Sequence, residues 1–311
     1  MSPSPWIVLG ALVAEAAVGY PAWLHRRAPH PVVGAGALIE GLERAWNKPA
    51  LSPAVRRTLG VATVVLTAGL AAGLGWAIEA LPLPKAAAVC VVVLAGTLGL
   101  AQRSLYDHVA AVERALQAGD HAGARGAVGA IVGRDVEALD ERGVAAAALE
   151  SLAESFNDAV AAPVFWFLVA GLPGLFAFKA VNTADSMIGH REPRWRAFGW
   201  AAARADDVMN LIPARIAGAL IALAGGGGWR VMLRDARLRA SPNAGWPEAA
   251  MAGALHVRLG GPATYDGVAT DRPTFGDGAA PAPADLARGL RVYVTACGLI
   301  WAGLAFGGLV P

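Results

Sequence analysis

Apolar residues fall in long runs along this chain, and polar residues gather in blocks between them. The runs cover residues 6–24, 59–81, 86–102, 163–178, 211–229 and 292–310. Each approaches the ~20 residues a helix needs to cross the hydrocarbon core of a bilayer. The first is interrupted by Glu15 and has no basic flank before it, so a cleaved signal peptide fits it less well. A tight Pro-rich turn, "PLPK", separates the second run from the third. The polar block 104–158 reads as cytoplasmic helices. Leu105, Val109, Val112 and Leu116 mark an amphipathic face, Asp120 can cap the next helix and Gly133 can end it. The block 229–288 reads as polar loops with one or two helices. The pattern predicts an all-α, polytopic membrane protein with about four to six membrane-embedded helices, a single domain over residues 1–311.

Composition agrees with the pattern. Of 311 residues, 56% are hydrophobic and 16% charged, against about 25% charged in soluble domains; the mean hydropathy is +0.47. A net charge of +2 gives no reason to expect nucleic acid. Cys90 and Cys297 sit in apolar runs without metal-ligand spacing and read as buried small hydrophobes.

Charge sets the orientation. Arg26, Arg27, Arg44, Lys48, Arg56 and Arg57 follow the first run, which places that connection in the cytoplasm and the N-terminus outside. Two crossings later the block 104–158 is cytoplasmic again. The run 163–178 then creates a conflict. A single crossing would put Lys179, Arg191, Arg194, Arg196 and Arg204 outside, against their charge. The run is also broken at "AGLPG", where Pro173 lacks a backbone donor and the glycines relax the helix. Two half-helices re-entering from one face would resolve the conflict, provided protein or a wet cavity surrounds the break. The same logic extends less securely to 211–229.

Three polar groupings carry candidate chemistry. Glu150, Glu154 and Asp158 recur four apart and form a stripe on one helix face. Glu150 reads as a solvated position. Glu154 and Asp158, against the membrane-like run, need arginines or a hard cation such as Mg²⁺. In "FKAVNTADSMIGHR", Lys179, Asn182 and Asp185 or Ser186 share helical spacing, and Gly189 ends the helix. In "RADDVMNLIPAR", Asp206, Asp207 and Asn210 fall within a turn, and Arg215 lies in an apolar run, where a cation usually faces a cavity or a carboxylate. A fourth stretch, "SPNAGWPEAAMAGAL", offers Ser241 or Asn243 as cap for a helix starting near Pro247, with Glu248 in its exposed first turn, a plain cap rather than an anion site on balance. No phosphate loop, dinucleotide fingerprint or histidine metal pair is present in the sequence. These residues alone suit an enzyme using phosphate and Mg²⁺ or a transporter with broken helices.

The blocks "ESLAESFNDAVAAPVFW", "KAVNTADSMIGHR", "FGWAAARADDVMNLIPARI" and "SPNAGWPEAAMAGAL", in that order, resemble the adenosylcobinamide-phosphate synthase family of cobalamin biosynthesis. The likeness continues through "HPVVGAGALIEGLERAWN", "IVGRDVEALDERGVAAAALES", "RLGGPATYDG" and "RPTFGDG" and covers nearly the whole chain. It implies an ATP-dependent ligase that joins a free carboxylate of adenosylcobyric acid to (R)-1-aminopropan-2-ol or its O-phosphate, with Mg²⁺. It also implies an inner-membrane enzyme with its site facing the cytoplasm, beside other late cobamide-assembly enzymes. Laid on the matching motifs, this chemistry gives Glu154, Asp158 and Asp185 to Mg²⁺, and phosphate to Lys179, Arg204 and Arg215. Asp206 or Asp207 would orient or deprotonate the amine, and Asn182, Asn210, Asn243 and Glu248 would contact substrate. The chain departs from the family at Ser155, at Ala159 and at Gly19-Tyr20-Pro21, none of which removes a carboxylate from these groupings. The rivals are a membrane Mg²⁺-dependent prenyl- or alcohol-phosphate transferase and a corrinoid transporter. The first requires matched aspartate motifs and the second two related halves; the chain shows neither.

Overall fold

The computed structural model describes residues 3–21, 26–27, 30–265 and 267–309. In chain order its helices are α1 Pro5–Val18, α2 Pro31–Trp46, α3 Pro53–Glu79, α4 Lys85–Thr97, α5 Gln102–Gln117, α6 His121–Gly129 and α7 Glu141–Phe156. A π-helical turn, Asn157–Ala161, leads into α8 Ala162–Ile188. Then come α9 Trp200–Met209, α10 Leu211–Ala224, α11 Trp229–Asp235, α12 Gly245–Leu255 and, last, α13 Pro283–Gly307. Four short strands, β1 Leu259–Gly260, β2 Ala263–Tyr265, β3 Val268–Thr270 and β4 Thr274–Phe275, pair antiparallel as β1–β4 and β2–β3.

This is an all-α polytopic membrane protein. Among the described residues, four helical runs are long and apolar enough to cross a bilayer: Pro53–Glu79, Lys85–Gln117, Glu141–Ile188 and Pro283–Gly307. A fifth appears if Trp200–Met209 and Leu211–Ala224 are taken as one broken span. The first expected run yields the shorter α1, which Gly19 ends; residues 22–24, its expected end, lie outside the described residues, as does Val310 at the far end. α6 stops at Gly129 rather than Gly133, because the chain turns at residues 130–131 and α7 begins only after Asp140 caps it. Cys297 is buried as expected, whereas Cys90 is exposed on the apolar surface of α4; no disulfide joins them.

Residues 1–101, 162–210 and 304–311 make one compact unit. Its centre is the packing of α3 on α8, with α2 and α9 against both and α1 on α4. Ile39, Val64, Val181, Ala184, Ile188, Phe198 and Ala202 form a buried cluster there. The expected break in α8 is present. Ala170 and Gly171 leave helical geometry, Gly171 at φ +66°, and Pro173 sits at the restart, where no backbone donor is missed. The carboxylate of Glu79, the last residue of α3, accepts from Leu172 N at 2.7 Å and caps the second half. A Cβ on Gly171 would strike that carboxylate. A Cβ on Gly75 would come within 2.6 Å of the Leu172–Pro173 backbone, so α3 lies directly on the break.

Residues 102–161 and 211–303 make the second unit. Leu105, Val109, Val112 and Leu116 are buried, as their spacing predicts, where α5 packs on α6 and α7. α12 is its hub. It packs against α7, α10 and α11, and its residues from Pro247 to Leu255 are all buried. The helix starts at Gly245, two residues before the expected Pro247, and no side chain caps it. Ser241 Oγ instead accepts from the amides of Asn243 and Ala244, in the turn before. Tyr293 of α13 donates to Gln102 O at 2.7 Å and meets Phe156 edge to face.

Candidate functional site

The carboxylate stripe of α7 belongs to the second unit, and there the structure corrects the reading of Glu150. Its side chain is 7% exposed, not solvated. Oε2 pairs with Arg272 at 2.7 Å and with Arg134 at 3.3 Å, and Oε1 accepts from Gly260 N at 3.0 Å. Two guanidiniums and a strand amide thus repay the burial of one charge. Glu154, one turn on, is half exposed and lies 3.9 Å from Arg239. The same Arg239 guanidinium stands 3.2 Å from Glu248, which is fully buried. Neither oxygen of Glu248 has a hydrogen bond of good geometry, so the expected exposed first-turn position is also corrected. Burial first, and then the nearby negative charge of Glu154, pushes the Glu248 carboxyl up to about 8.

Asp158 stands in the π-turn, where Asn157 Nδ2 donates to its Oδ1 at 2.8 Å. The wide turn follows from Pro163, which cannot donate to the carbonyl four residues before it and would clash with it. π-turns inside helices recur at functional sites. Arg215, in the apolar run of α10, donates to Asn243 Oδ1 at 3.2 Å and lies over the Trp246 ring at 4.7 Å, so an amide and an aromatic face receive it.

The first unit holds the remaining predicted residues. Asp206 accepts from Asn182 Nδ2 at 3.2 Å on one oxygen and from Asn210 Nδ2 at 3.0 Å on the other. Asn182, from one predicted grouping, thus joins Asp206 and Asn210 of another in one node. Arg204 pairs with Asp207 at 2.9 Å across one turn of α9. Lys179 borders a largely apolar cavity of about 290 Å³ together with His30, Phe176 and Thr183. Asp185 lies near the end of α8, where its backbone carbonyl accepts from Gly189 N at 2.7 Å. Glu154, Asp158, Arg215, Asn243 and Glu248 therefore fall in one unit, and Lys179, Asn182, Asp185, Arg204, Asp206, Asp207 and Asn210 in the other. Among the described residues no three His, Cys, Asp or Glu converge as a metal group.

Sequence reasoning missed the arginines that hold the acids. Arg134, Arg239 and Arg272 stand 9 to 122 residues from the carboxylates they pair with, none at helical i,i+3 or i,i+4 spacing, so no local spacing announces them. It also missed Glu43. Arg194 grips this buried carboxylate bidentately, at 3.0 and 2.8 Å, and these hydrogen bonds hold its pKa below the ordinary range.

Residues 8–293 match the CobD/Cbib protein family. The chain belongs to the CobD/Cbib family. Curated relatives agree along almost its full length. This CobD/Cbib chain is 51% identical over 290 residues to the cobalamin biosynthesis protein CobD of Rhodobacter capsulatus, covering 91% of the chain and 90% of the relative. It is 46% identical over 311 residues to the protein of that name from Sinorhizobium sp, covering 96% of each. A third, from Brucella anthropi, is 49% identical over 276 residues, 85% of this chain and 84% of its own. No solved structure matches the chain significantly. Every block quoted above, from "HPVVGAGALIEGLERAWN" to "RPTFGDG", falls inside the CobD/Cbib match.

Proposed function

We propose that this chain works in cobalamin biosynthesis as an ATP-dependent ligase, joining a carboxylate of adenosylcobyric acid to (R)-1-aminopropan-2-ol or its O-phosphate. The names of its relatives support the pathway. The observation that carries the reaction is the Asn182–Asp206–Asn210 node with the Arg204–Asp207 pair beside it. Two amides fix the direction of this carboxylate, which is what positioning an ammonium group or amine for attack requires.

A carboxylate and an amine do not condense unaided in water. In the proposed course the γ-phosphoryl group of ATP passes to the corrinoid carboxylate, and ADP leaves. The amine then attacks the acyl carbon, inorganic phosphate departs, and the amine proton passes to Asp206 or Asp207. Lys179, Arg204 and Arg215 are the cations proposed for phosphate, and Asn243 and Glu248 stand behind Arg215 and Arg239 rather than open to substrate. Glu154, Asp158 and Asp185 are the residues proposed to hold Mg²⁺. Mg²⁺ takes only one or two protein carboxylates when phosphates and waters complete its shell, so Glu154 and Asp158, one turn apart, suit it although no three-acid cluster occurs among the described residues. When bound, the ion would neutralise charge on the transferring phosphoryl group.

The experiment is an assay of purified protein in detergent with adenosylcobyric acid, aminopropanol phosphate and Mg-ATP, read by product mass. Amide forms only with ATP, and Asp158→Asn and Asp207→Asn each lower kcat by about a hundredfold or more, the usual scale for one charge-stabilising or proton-transfer group. Corrinoid binding with no ATP-dependent change in mass would leave a carrier instead.

A further inference from the structure

The connection between α8 and α9 forms a second opening in the first unit. It is about 510 Å³ and lined by Gly189, His190, Arg191, Arg196, Trp200 and Arg204 with one alanine. Three guanidiniums and an imidazole face it, and no carboxylate lines it. Arg204 is paired with Asp207. Arg191 and Arg196 make no ion pair among the described residues. Arginines gathered in one opening raise a positive potential that favours an anion there.

The surrounding residues hold this loop in place. Glu43 binds Arg194 bidentately, and Asn47 Nδ2 donates to Arg194 O at 3.0 Å. Arg56 donates to the same carbonyl and to Asn47 Oδ1. The anchor lies between Arg191 and Arg196, so both flanking arginines are carried by a pinned backbone. α9 also begins at this opening. Its N-cap, Gly199, offers no side-chain cap, which leaves first-turn amides and the positive helix end beside the arginines. Trp200, 43% exposed, adds an aromatic surface on which a base can stack.

We propose that this opening binds the triphosphate of a nucleoside triphosphate, with Arg191 and Arg196 as its principal contacts and Trp200 beside the base. The volume suits a nucleotide-sized ligand, and several dispersed cations suit several phosphates better than one. This assignment rests on the ATP-dependent reaction proposed above and gives the nucleotide a place there.

Isothermal titration of the full-length protein in detergent, without corrinoid, tests it with ATP, inorganic triphosphate and aminopropanol phosphate. Arg191→Ala and Arg196→Ala are each expected to weaken ATP and triphosphate about tenfold or more, the loss of a charge-assisted contact, and to leave aminopropanol phosphate unchanged. Both side chains are exposed, so the unfolding midpoint stays put, and Arg196→Lys restores part of the affinity. Unchanged ATP and triphosphate binding in both alanine variants overturns the site. Loss confined to aminopropanol phosphate overturns it in favour of the amino-alcohol substrate. Arginine-dependent binding of phosphatidylglycerol nanodiscs without triphosphate binding overturns it in favour of a lipid headgroup. Arginine-dependent triphosphate binding by a protein that makes no amide upholds the site while the ligase reading fails. Amide synthesis with an unchanged KM for ATP in both variants does the reverse.

Discussion

At the scale of single residues, the buried acids decide most. Glu150 is ringed by two guanidiniums and an amide. Glu150→Ala leaves two arginines buried without their counter-charge and is expected to cost about 3–5 kcal/mol, read as a large drop in unfolding midpoint in detergent. Glu150→Gln keeps the acceptor for Gly260 and should lose less. Glu248 responds differently. Its folded pKa, about 8, lies above the ordinary 4.5, so between those values the folded chain binds more protons than the unfolded one. Its contribution to stability is then full below about pH 4.5 and is lost as pH rises through 8. Thermal unfolding should therefore shift to lower temperature between pH 6 and pH 8.5, and Glu248→Gln should flatten that slope. An equally steep slope in the variant would contradict the assignment. Neither acid betrays this in sequence. Glu150 sits at i,i+4 spacing like a solvated stripe, and what buries it comes from Arg134 and Arg272, far along the chain.

At the scale of elements, legibility depends on whether the cause is local. The break in α8 was readable because Gly171 and Pro173 act on their own backbone. The amphipathic face of α5 was readable because its period is local too. The cap on the restarted half-helix was not, since Glu79 reaches it from another helix. The two halves of α8 differ in reach: residues 162–169 rise about 12 Å and residues 172–188 about 25 Å, both short of a ~30 Å core. Glu79 supplies the acceptor that the restarted half-helix needs, as irregular backbone inside a membrane protein requires. Glu79→Ala should cost about 1 kcal/mol, the loss of an N-terminal cap. Gly171→Ala, which removes no contact but needs φ +66° and meets Glu79, should cost as much or more. Equal unfolding midpoints for Glu79→Ala and the unmodified protein would show that water caps the half-helix instead.

At the scale of the whole molecule, the open element is the path of the chain through the bilayer. Hydropathy finds the apolar helices but not the side of each end, and charge must supply it. Residues 26–57 and the loop with Arg191, Arg194 and Arg196 carry an excess of basic residues, the block from Arg103 carries arginines among a larger number of acids, and residues 80–84 carry no charge. If the run Glu141–Ile188 re-enters at its break, both of its ends share the cytoplasmic side; if it crosses once, the arginine loop emerges opposite. Cys90 and Cys297 are the chain's two cysteines, so replacing both with alanine gives a clean background for single thiols. Leu81→Cys, Ser104→Cys and Glu192→Cys all occupy exposed positions and can be probed in intact cells with a membrane-impermeant maleimide. The expected result is that Leu81→Cys is labelled from outside, whereas Ser104→Cys and Glu192→Cys react only after lysis. Labelling of Glu192→Cys in intact cells would mean a full crossing. It would also place the proposed nucleotide opening away from cytoplasmic ATP, so this one thiol bears on the topology and the chemistry together.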